Sequence, residues 1–277
     1  MWVEVTMGEL LKFLPRQTVG ICTGYKGGRT VAAVAAVTLK DDDGLKLSFP
    51  KRNPFIVGEA VTVHLDDRVG SEIYSIELRV YRSSYKGTVV SVKGNVAVVA
   101  PLDYELFFGG RVVTRFSAPG YQHPADPRSP APIPETPLTR VALADEGEKS
   151  NKLGVLVTRS VDRPHTTVMA FLSSTDDDIF LITEKGSFKY HNLSRDRRCV
   201  FALDHRASFS FERQVDWNYT IYEAQAYRVD RSLPLFGTIQ AQFIEKNPWE
   251  TVFFSNPNTE MLHLAPQRII QQDILCD

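Results

Sequence analysis

The sequence is poor in cysteine. Its 277 residues include three cysteines, Cys22, Cys199 and Cys276, and no two of them form a Cys-x-x-Cys pair. This spacing excludes a zinc knuckle or a thioredoxin-type motif, and an odd, sparse set is typical of a reducing compartment. We therefore expect a cytoplasmic protein that does not depend on disulfides.

Long hydrophobic runs are also missing. The longest, Thr30–Leu39, has ten residues and is typical of a strand. A membrane-spanning helix needs about 20 apolar residues. The start, Met1–Glu4, has neither the basic segment nor the apolar segment of a secretory signal. We therefore expect no association with a membrane.

An excess of charge of either sign is absent. Lys and Arg number 32 against 33 Asp and Glu, which gives a net charge of −1. Residues 1–117 carry 15 basic and 12 acidic side chains, and residues 138–277 carry 16 and 19. Neither part has the basic footprint of a nucleic-acid-binding domain, so we expect no nucleic-acid partner.

Proline, in contrast, is concentrated in one segment. Seven of the sixteen prolines lie between Ser117 and Pro137. Because proline fixes φ and has no backbone donor, we expect an extended, semi-rigid spacer that joins neither a sheet nor a helix. The predicted division is a β-rich domain at residues 1–117, a linker at 118–137 and a second domain at 138–277. A proline-rich ligand for a partner domain is the alternative reading of the linker.

The first domain has the pattern of a small β-barrel or sandwich. A short helix is predicted over Met7–Leu14, with Thr6 as its cap and Pro15 as its end. Short strands separated by close turns then follow. The predicted strands are Thr18–Thr23, Thr30–Leu39, Leu45–Phe49, Ala60–Leu65, Ser75–Tyr81, Gly87–Val92, Asn95–Ala100 and Arg111–Phe116.

The second domain alternates strands with a few helices. Helices are predicted at about Thr139–Lys152, Ser187–Arg195 and Leu233–Lys246. The predicted strands are Gly154–Ser160, His165–Leu172, Ile179–Thr183, Cys199–Leu203, Tyr219–Asp230, Thr251–Ser255 and Met261–Leu264.

Several patterns resemble functional motifs but do not meet their requirements. Gly24–Thr30 lacks the spacing and the lysine of a phosphate-binding P-loop and precedes a strand, so we interpret it as a turn. Arg79–Lys86 has Arg-x-x-Arg instead of the Arg-x-x-x-Arg of a PilZ-type cyclic dinucleotide site. Asp176–Asp178 is interpreted as a solvated turn. No metal site and no catalytic residue can be assigned.

One loop and helix in the second domain fits ligand chemistry. Gly186 permits a tight exit from the preceding strand, and Ser187 is a natural helix cap. The N-terminus of a helix favours an anion, and Lys185, Lys189 and Thr183 add two charges and a hydroxyl. These residues could bind a phosphate monoester. An ordinary capped helix with solvated lysines is the alternative.

Further short motifs surround this loop in a fixed order. They are the strand Gly154–Thr158, Arg163-Pro164-His165, Ile182-Thr183, Ser187-x-Lys189 with Asn192-Leu193, Arg197–Val200 and, more weakly, Glu223–Ala226 and Leu264–Ile269. This ordered set resembles the FMN-binding split-barrel superfamily, which includes pyridoxamine 5′-phosphate oxidase. The resemblance covers most of residues 138–277.

The resemblance implies a six-stranded antiparallel split barrel with a few short helices. The barrel would form a homodimer, and FMN would bind in a groove at the dimer interface. The implied cofactor site comprises Thr183, Lys185, Ser187 and Lys189 at the phosphate, and Thr167, Val168 and Met169 along the ribityl chain and ring edge. Trp217 is predicted to reach the flavin, from the second subunit. A loop residue packed on its own barrel is the alternative for Trp217.

The chain departs from the oxidase at three positions. The family has arginine where this chain has Thr167, lysine where it has Leu172 and arginine where it has Phe188. Because those basic residues serve the flavin phosphate and the phosphorylated substrate, we expect loose FMN binding and no pyridoxamine-phosphate oxidase activity. The resemblance predicts an FMN-dependent oxidoreductase of unknown substrate. The alternatives are a flavin- or ligand-binding sensor and a dimeric assembly protein without turnover.

Overall fold

Two antiparallel β-sheets form the framework of the chain in the computed structural model, which describes residues 8–68, 78–204 and 219–272. The mainly β fold class predicted from the sequence is confirmed, with a closed six-stranded barrel and a curled half-barrel sheet. Within the three described ranges, no helix is long and apolar enough to cross a membrane.

The first sheet closes on itself. Its strands are β1 (Gln17–Lys26), β2 (Arg29–Leu39), β3 (Leu45–Ser48), β4 (Ala60–Asp66), β5 (Tyr81–Lys93), β6 (Val96–Phe108) and β7 (Arg111–Ser117). They follow the order β3-β2-β1-β4-β5-β6-β7, and β3 also pairs with β6. This extra pairing joins β1 to β6 into a ring, which we call the barrel, with β7 attached to its last strand. A closed ring leaves fewer strand edges exposed for aggregation.

The glycine-rich segment after β1 forms a hairpin turn, as predicted. Lys26 pairs with Arg29 across the turn, and Gly27 and Gly28 have φ values of 55° and 75°. Two successive positive φ angles are what a two-residue type I′ turn requires, and glycine adopts them without steric cost. The segment therefore connects two strands and does not cradle a phosphate.

The second sheet is open, and we call it the half-barrel. Its strands are β8 (Leu153–Thr158), β9 (His165–Ala170), β10 (Leu172–Ser173), β11 (Ile179–Glu184), β12 (Arg198–Asp204), β13 (Tyr219–Val229) and β14 (Thr259–Gln272), in the order β10-β11-β14-β13-β12-β8-β9. Its helices are α1 (Phe188–Arg195), α2 (Pro234–Lys246) and α3 (Thr251–Ser255). The sheet has seven strands, one more than the resemblance implies, because β10 adds a pair of residues at one edge.

Two segments of the second domain differ from their predicted secondary structure. The helix predicted over 139–152 is wrong, and the structure has a single 3-10 turn there, Glu146–Glu148. Backbone bonds to β10 and to the residues just after it replace helical ones, since Asp145 N donates to Ser173 O and Thr175 N donates to Leu143 O, both at 2.9 Å. The strand predicted over Thr251–Ser255 is also wrong, because this segment is α3. Its Phe254 packs against two phenylalanines of α2. Strand propensity depends on local sequence and does not report such a tertiary contact.

Two predictions in the first domain are met only in part. The predicted helix over Met7–Leu14 is a shorter 3-10 helix, Glu9–Lys12, and Thr6 and Met7 lie outside the described residues. In the strand predicted over Ser75–Tyr81, residues 75–77 also lie outside them, and residues 78–80 precede β5.

The proline-rich segment packs along the half-barrel. Residues 118–137 contain no strand or helix, but Glu135 forms an isolated bridge with Arg228 of β13, although proline-rich chain was expected to avoid sheet pairing. Arg228 N donates to Pro134 O, and Thr136 N donates to Arg228 O, both at 2.8 Å. Ile133 is buried in the half-barrel core. The division into two domains and a linker stays a prediction.

A shared apolar core joins the two sheets. The valine and isoleucine side chains at this contact come from both sides: Val19, Ile21 and Val34 from the barrel, and Val155, Val157, Val200 and Ile221 from the half-barrel. All of these side chains are buried. Burial of apolar area contributes roughly 25 cal/mol per Å², so this contact favours one fixed arrangement of the two sheets.

A buried ionic network crosses the same contact. Arg68, just after β4, donates from Nη2 to both carboxylate oxygens of Asp204 at 3.0 and 3.1 Å and from Nη1 to Leu153 O at 2.7 Å. Its Nε lies 3.3 Å from Asp66, which also contacts His64 Nε2 at 2.9 Å. Every charged member is at most 5% exposed. Removing one partner would leave buried charge uncompensated.

Replacing Arg68 should therefore destabilise the protein strongly. We expect Arg68→Met to lower the free energy of unfolding by about 3–5 kcal/mol, because Asp66 and Asp204 lose their buried cation. The exposed pair Arg16–Asp41 provides the control, and Arg16→Met should cost less than about 1 kcal/mol. Urea denaturation of both variants measures the difference. Equal losses would show that the network does not hold the sheets together.

A second buried charge lies at the end of α2. Lys246 is 6% exposed, and its ammonium nitrogen is 3.6 Å from the centre of the Phe171 ring. Its Nζ has no hydrogen-bond partner among the described residues. Burial lowers the pKa of Lys246 from 10.5 to about 7, and the nearby Glu148 offsets only part of this effect. The folded protein therefore binds this proton less tightly than the unfolded chain does.

This difference predicts a pH dependence of stability. Between about pH 7 and pH 10.5 the unfolded chain holds a proton that the folded protein has released, so stability due to Lys246 rises with pH. Below pH 7 the full cost of the buried charge remains, at about 1.4 kcal/mol per unit of pKa shift. Lys246→Met should stabilise the protein at pH 6 and flatten the rise. The free energy of unfolding of the unaltered protein and of Lys246→Met is measured by denaturation from pH 6 to 10. Parallel pH profiles would show that Lys246 does not cause the rise.

Candidate functional site

Two adjoining cavities lie where the barrel meets the half-barrel. The first has a volume of about 730 Å³ and is lined mainly by β5, β6, β7, β9 and the start of α1. The second, of about 950 Å³, is lined by β9, β11, the start of α1 and residues 249–253. Arg82, Val168 and Lys189 line both cavities, and we call the two together the groove. These volumes are in the range of small-molecule sites.

The structure brings six of the eight site residues predicted from the sequence to this groove. Thr167 lines the first cavity, Val168 and Lys189 line both, and Met169, Thr183 and Ser187 line the second. They come from one edge strand, β9, and from the turn between β11 and α1. That turn closes tightly because Ser187 N donates to Glu184 O at 3.1 Å.

The hydroxyl groups of this turn are already hydrogen-bonded. Ser187 caps α1, since its Oγ accepts from Tyr190 N at 3.4 Å, and it donates to Glu184 O at 2.8 Å. Thr183 Oγ1 lies 3.0 Å from Ser187 Oγ. These bonds fix the start of α1 and leave Lys189 as the cation that this helix contributes to the groove.

Lys189 is a cation without a counter-ion. Within the described part of the chain, no carboxylate lies within ion-pair distance of its ammonium group, and no hydrogen bond to it is formed. Burial lowers the pKa of Lys189, Glu184 opposes this effect, and the positive charge of Arg82 adds to it. A desolvated, unneutralised cation is costly on its own and is stabilised by an anion.

The remaining two predicted residues are not at the groove. Lys185 lines neither cavity, and its Nζ forms an ion pair with Glu260 at 3.0 Å. Glu260 therefore already neutralises the charge of Lys185. Trp217 lies outside the described residues.

The sequence analysis missed every groove residue that the barrel supplies. Arg82 and Lys86 of β5 and Arg115 of β7 face the first cavity, together with Phe107 of β6. Lys86 is paired with Asp103, whereas Arg82 has no carboxylate within ion-pair distance in the described ranges. The available signal was the basic run Arg79–Lys86, which matches no known motif.

Aromatic rings form one wall of the first cavity. Phe188 stands at the start of α1, and 43% of its surface is exposed. Its ring contacts the imidazoles of His165 and His123 edge-on, with centroid distances of 4.9 and 5.4 Å. Burial, together with nearby lysines, lowers the pKa of His165 to about 3, so this imidazole is neutral at pH 7. The wall suits a planar ring more than a second anion.

A carboxyl group with a neutral form at physiological pH lines the second cavity. Glu250 lies in the 3-10 helix Pro248–Glu250, beside Trp249 and Phe253. Burial raises the pKa of Glu250 to about 7, and a hydrogen bond with Trp249 lowers it only in part. A group that titrates near neutral pH can give or take a proton in a reaction. No sequence motif marks it, because the effect comes from its desolvated surroundings.

Solved structures with a similar arrangement were found at low similarity. The heme storage protein HutZ from Vibrio cholerae is 18% identical, and the match covers 43% of this chain and 85% of HutZ, with a TM-score of 0.38. A putative pyridoxamine 5′-phosphate oxidase from Listeria innocua is 15% identical over 44% and 90% of the two chains, with a TM-score of 0.33. An FAD-binding protein from Mesorhizobium loti is 10% identical over 44% and 83%, with a TM-score of 0.35.

Values this low assign neither a family nor a ligand to this chain. No family model matches the sequence, and no curated protein matches it. Each of the three structures leaves more than half of this chain uncovered. The class defined by the structure is thus a mainly β protein with a ligand-sized groove between a barrel and a half-barrel.

The raised pKa of Glu250 predicts a pH dependence of stability. Because the folded state holds the Glu250 proton up to about pH 7 while the unfolded chain releases it near pH 4.5, stability due to this group falls as pH rises between these values. Glu250→Gln should remove this fall and stabilise the protein at pH 8. The exposed Glu146 is the control, and Glu146→Gln should leave the profile unchanged. The free energy of unfolding is measured from pH 4.5 to 8 for both variants and the unaltered protein. A pH profile unaltered by Glu250→Gln would show that the pKa of Glu250 is not raised in the folded protein.

Proposed function

We propose that this protein binds flavin mononucleotide, or a closely similar ring phosphate, in the groove and acts as an oxidoreductase. The observation that carries the proposal is Lys189, a half-buried cation without a counter-ion in the described ranges, at the start of a helix and beside both cavities. The N-terminus of a helix and a lysine together favour a phosphate. The sequence resemblance supports the same residue for the same role.

The other lining residues fit the rest of such a ligand. The aromatic wall formed by Phe188, His123 and His165 offers flat apolar surface for a ring system. Val168 of β9 lines both cavities, and Met169 lines the second, so both would lie along the ligand between its ring and its phosphate. The volume of either cavity is large enough for a drug-sized molecule.

A bound flavin would supply hydride or electron transfer, and the protein would supply binding and orientation. Lys189 would hold the phosphate, and Val168 and Met169 would exclude water from the ring edge. Glu250, which is neutral below about pH 7, could exchange a proton with a substrate in the second cavity. Oxidation of a reduced nicotinamide by the flavin-loaded protein would distinguish this enzyme from a carrier or sensor without turnover.

The lysine assignment is tested by FMN binding. We expect Lys189→Gln to weaken FMN binding roughly ten- to a hundredfold, since a charge-assisted hydrogen bond contributes about 1.5–3 kcal/mol. Lys185→Gln should leave affinity unchanged, because Lys185 is paired with Glu260. Quenching of flavin fluorescence measures both.

Riboflavin, which lacks the phosphate, is the ligand control. Its affinity should be the same for the unaltered protein and for Lys189→Gln. Loss of riboflavin binding in the variant would indicate a damaged fold. A parallel titration with hemin, followed by its absorption, tests the other ligand class named among the solved structures. Tight hemin binding without FMN binding would overturn the proposed function.

A further inference from the structure

Arg82 of the barrel has the features of a ligand-binding cation. Its Nη2 donates to Gly109 O at 2.7 Å, and its Nη1 makes two long bonds, 3.4 Å each, to the carbonyls of Leu78 and Val80. The guanidinium also stacks over Phe107, 5.8 Å from the ring centre. These contacts fix the side chain but do not use all five N–H donors of arginine.

Arg82 and Lys189 face the same space from opposite sheets. Both line the first and the second cavity, and neither has a carboxylate partner in the described ranges. The charge of Arg82 is close enough to lower the pKa of Lys189. Burial lowers the pKa of Arg82 as well. The charge of Asp66 opposes this effect at Arg82. Two neighbouring cations with no carboxylate at ion-pair distance repel each other, and an anion between them would reduce this cost.

The barrel is held firmly over the edge strand that carries the predicted ligand residues. Thr62 Oγ1 of β4 donates to Pro164 O at 2.6 Å, just before β9. Thr166 N and Oγ1 of β9 bond to Ser84 Oγ of β5 at 3.2 and 3.0 Å. Ser84 is two residues from Arg82 on β5, so these bonds fix the distance between Arg82 and β9.

We infer that the barrel supplies Arg82 as the second cation for the ligand's phosphate and so completes the anion site within a single chain. The resemblance implies a groove between two subunits. In this chain the barrel covers the corresponding strand, so one copy contains both walls. The inference rests on the proposed function for the identity of the ligand. The negative charge of the ligand follows instead from Arg82 and Lys189 themselves.

The test combines affinity with oligomeric state. FMN and inorganic pyrophosphate are titrated separately into the full chain and into Arg82→Gln, Lys189→Gln and the double variant. Arg16→Gln, an exposed arginine paired with Asp41, is the matched control. Flavin fluorescence reports FMN binding, and the rise in thermal unfolding temperature reports pyrophosphate binding. Light scattering gives the mass of the ligand-bound protein.

We expect Arg82→Gln to weaken binding of both anions at least about tenfold, with no change for Arg16→Gln. Arg82→Lys should recover part of the affinity, because it keeps the charge but not the fork of donors. Riboflavin binding should be unaffected. Ligand-bound protein should have the mass of one chain at concentrations where the site is saturated.

Each result separates the inference from the proposed function. Normal FMN and pyrophosphate affinity in Arg82→Gln would overturn the inference and leave the proposed function intact. Pyrophosphate binding that depends on Arg82 and Lys189, without any FMN binding, would support the inference and overturn the proposed function. Absence of both kinds of binding in the unaltered protein would overturn both. Binding found only in a dimer would contradict a site completed within one chain.

Discussion

The buried ion pair between Arg68 and Asp204 is the contact on which we expect the arrangement of this protein to depend. It joins the end of a barrel strand to the end of a half-barrel strand, and it is buried beside the shared apolar core. Buried ion pairs contribute little net stability compared with apolar side chains, but they tolerate very few alternative geometries. We therefore regard the pair as a device that specifies one relative placement of the sheets. The groove exists only in that placement, because its walls belong to different sheets.

Charge is distributed unevenly around the groove. Two other lysines of this region are neutralised, Lys86 by Asp103 and Lys185 by Glu260. At the junction of the two cavities, Arg82 and Lys189 have no such partners in the described ranges. A protein with nearly equal numbers of acidic and basic residues has enough carboxylates to neutralise both. This local excess of positive charge does not show in the net charge, and it is the physical basis for expecting an anionic ligand at the junction.

Local sequence patterns predicted the strands and turns well, and they predicted the capped start of α1. Alternation of buried and exposed side chains marks β9, and Ser187 caps its helix as expected. The predictions failed where distant contacts override local preference. In the segment 139–152, Leu143 and Asp145 bond to β10 and to the residue that follows it by two. Thr251–Ser255 is helical while its Phe254 packs on α2. Of the predicted site, the residues on β9 and at the start of α1 lie together because the half-barrel curls. The curl brings β9, at one edge of the sheet, near β11 and α1 at the other end.

The sequence by itself determined the mainly β class, the hairpin at Gly27 and Gly28, and the cation at Lys189, since each depends on a few neighbouring residues. Only the tertiary structure decided that Arg82 faces Lys189, that Lys185 is neutralised by Glu260 and that Glu250 is desolvated enough to hold a proton near pH 7. These properties arise from burial and from charges that are far apart along the chain. The approach of Arg82 to Lys189 depends on how the barrel packs against the half-barrel, whereas the pairing of Lys185 with Glu260 depends on how β11 and β14 lie side by side in the half-barrel. No local spacing of residues encodes either contact.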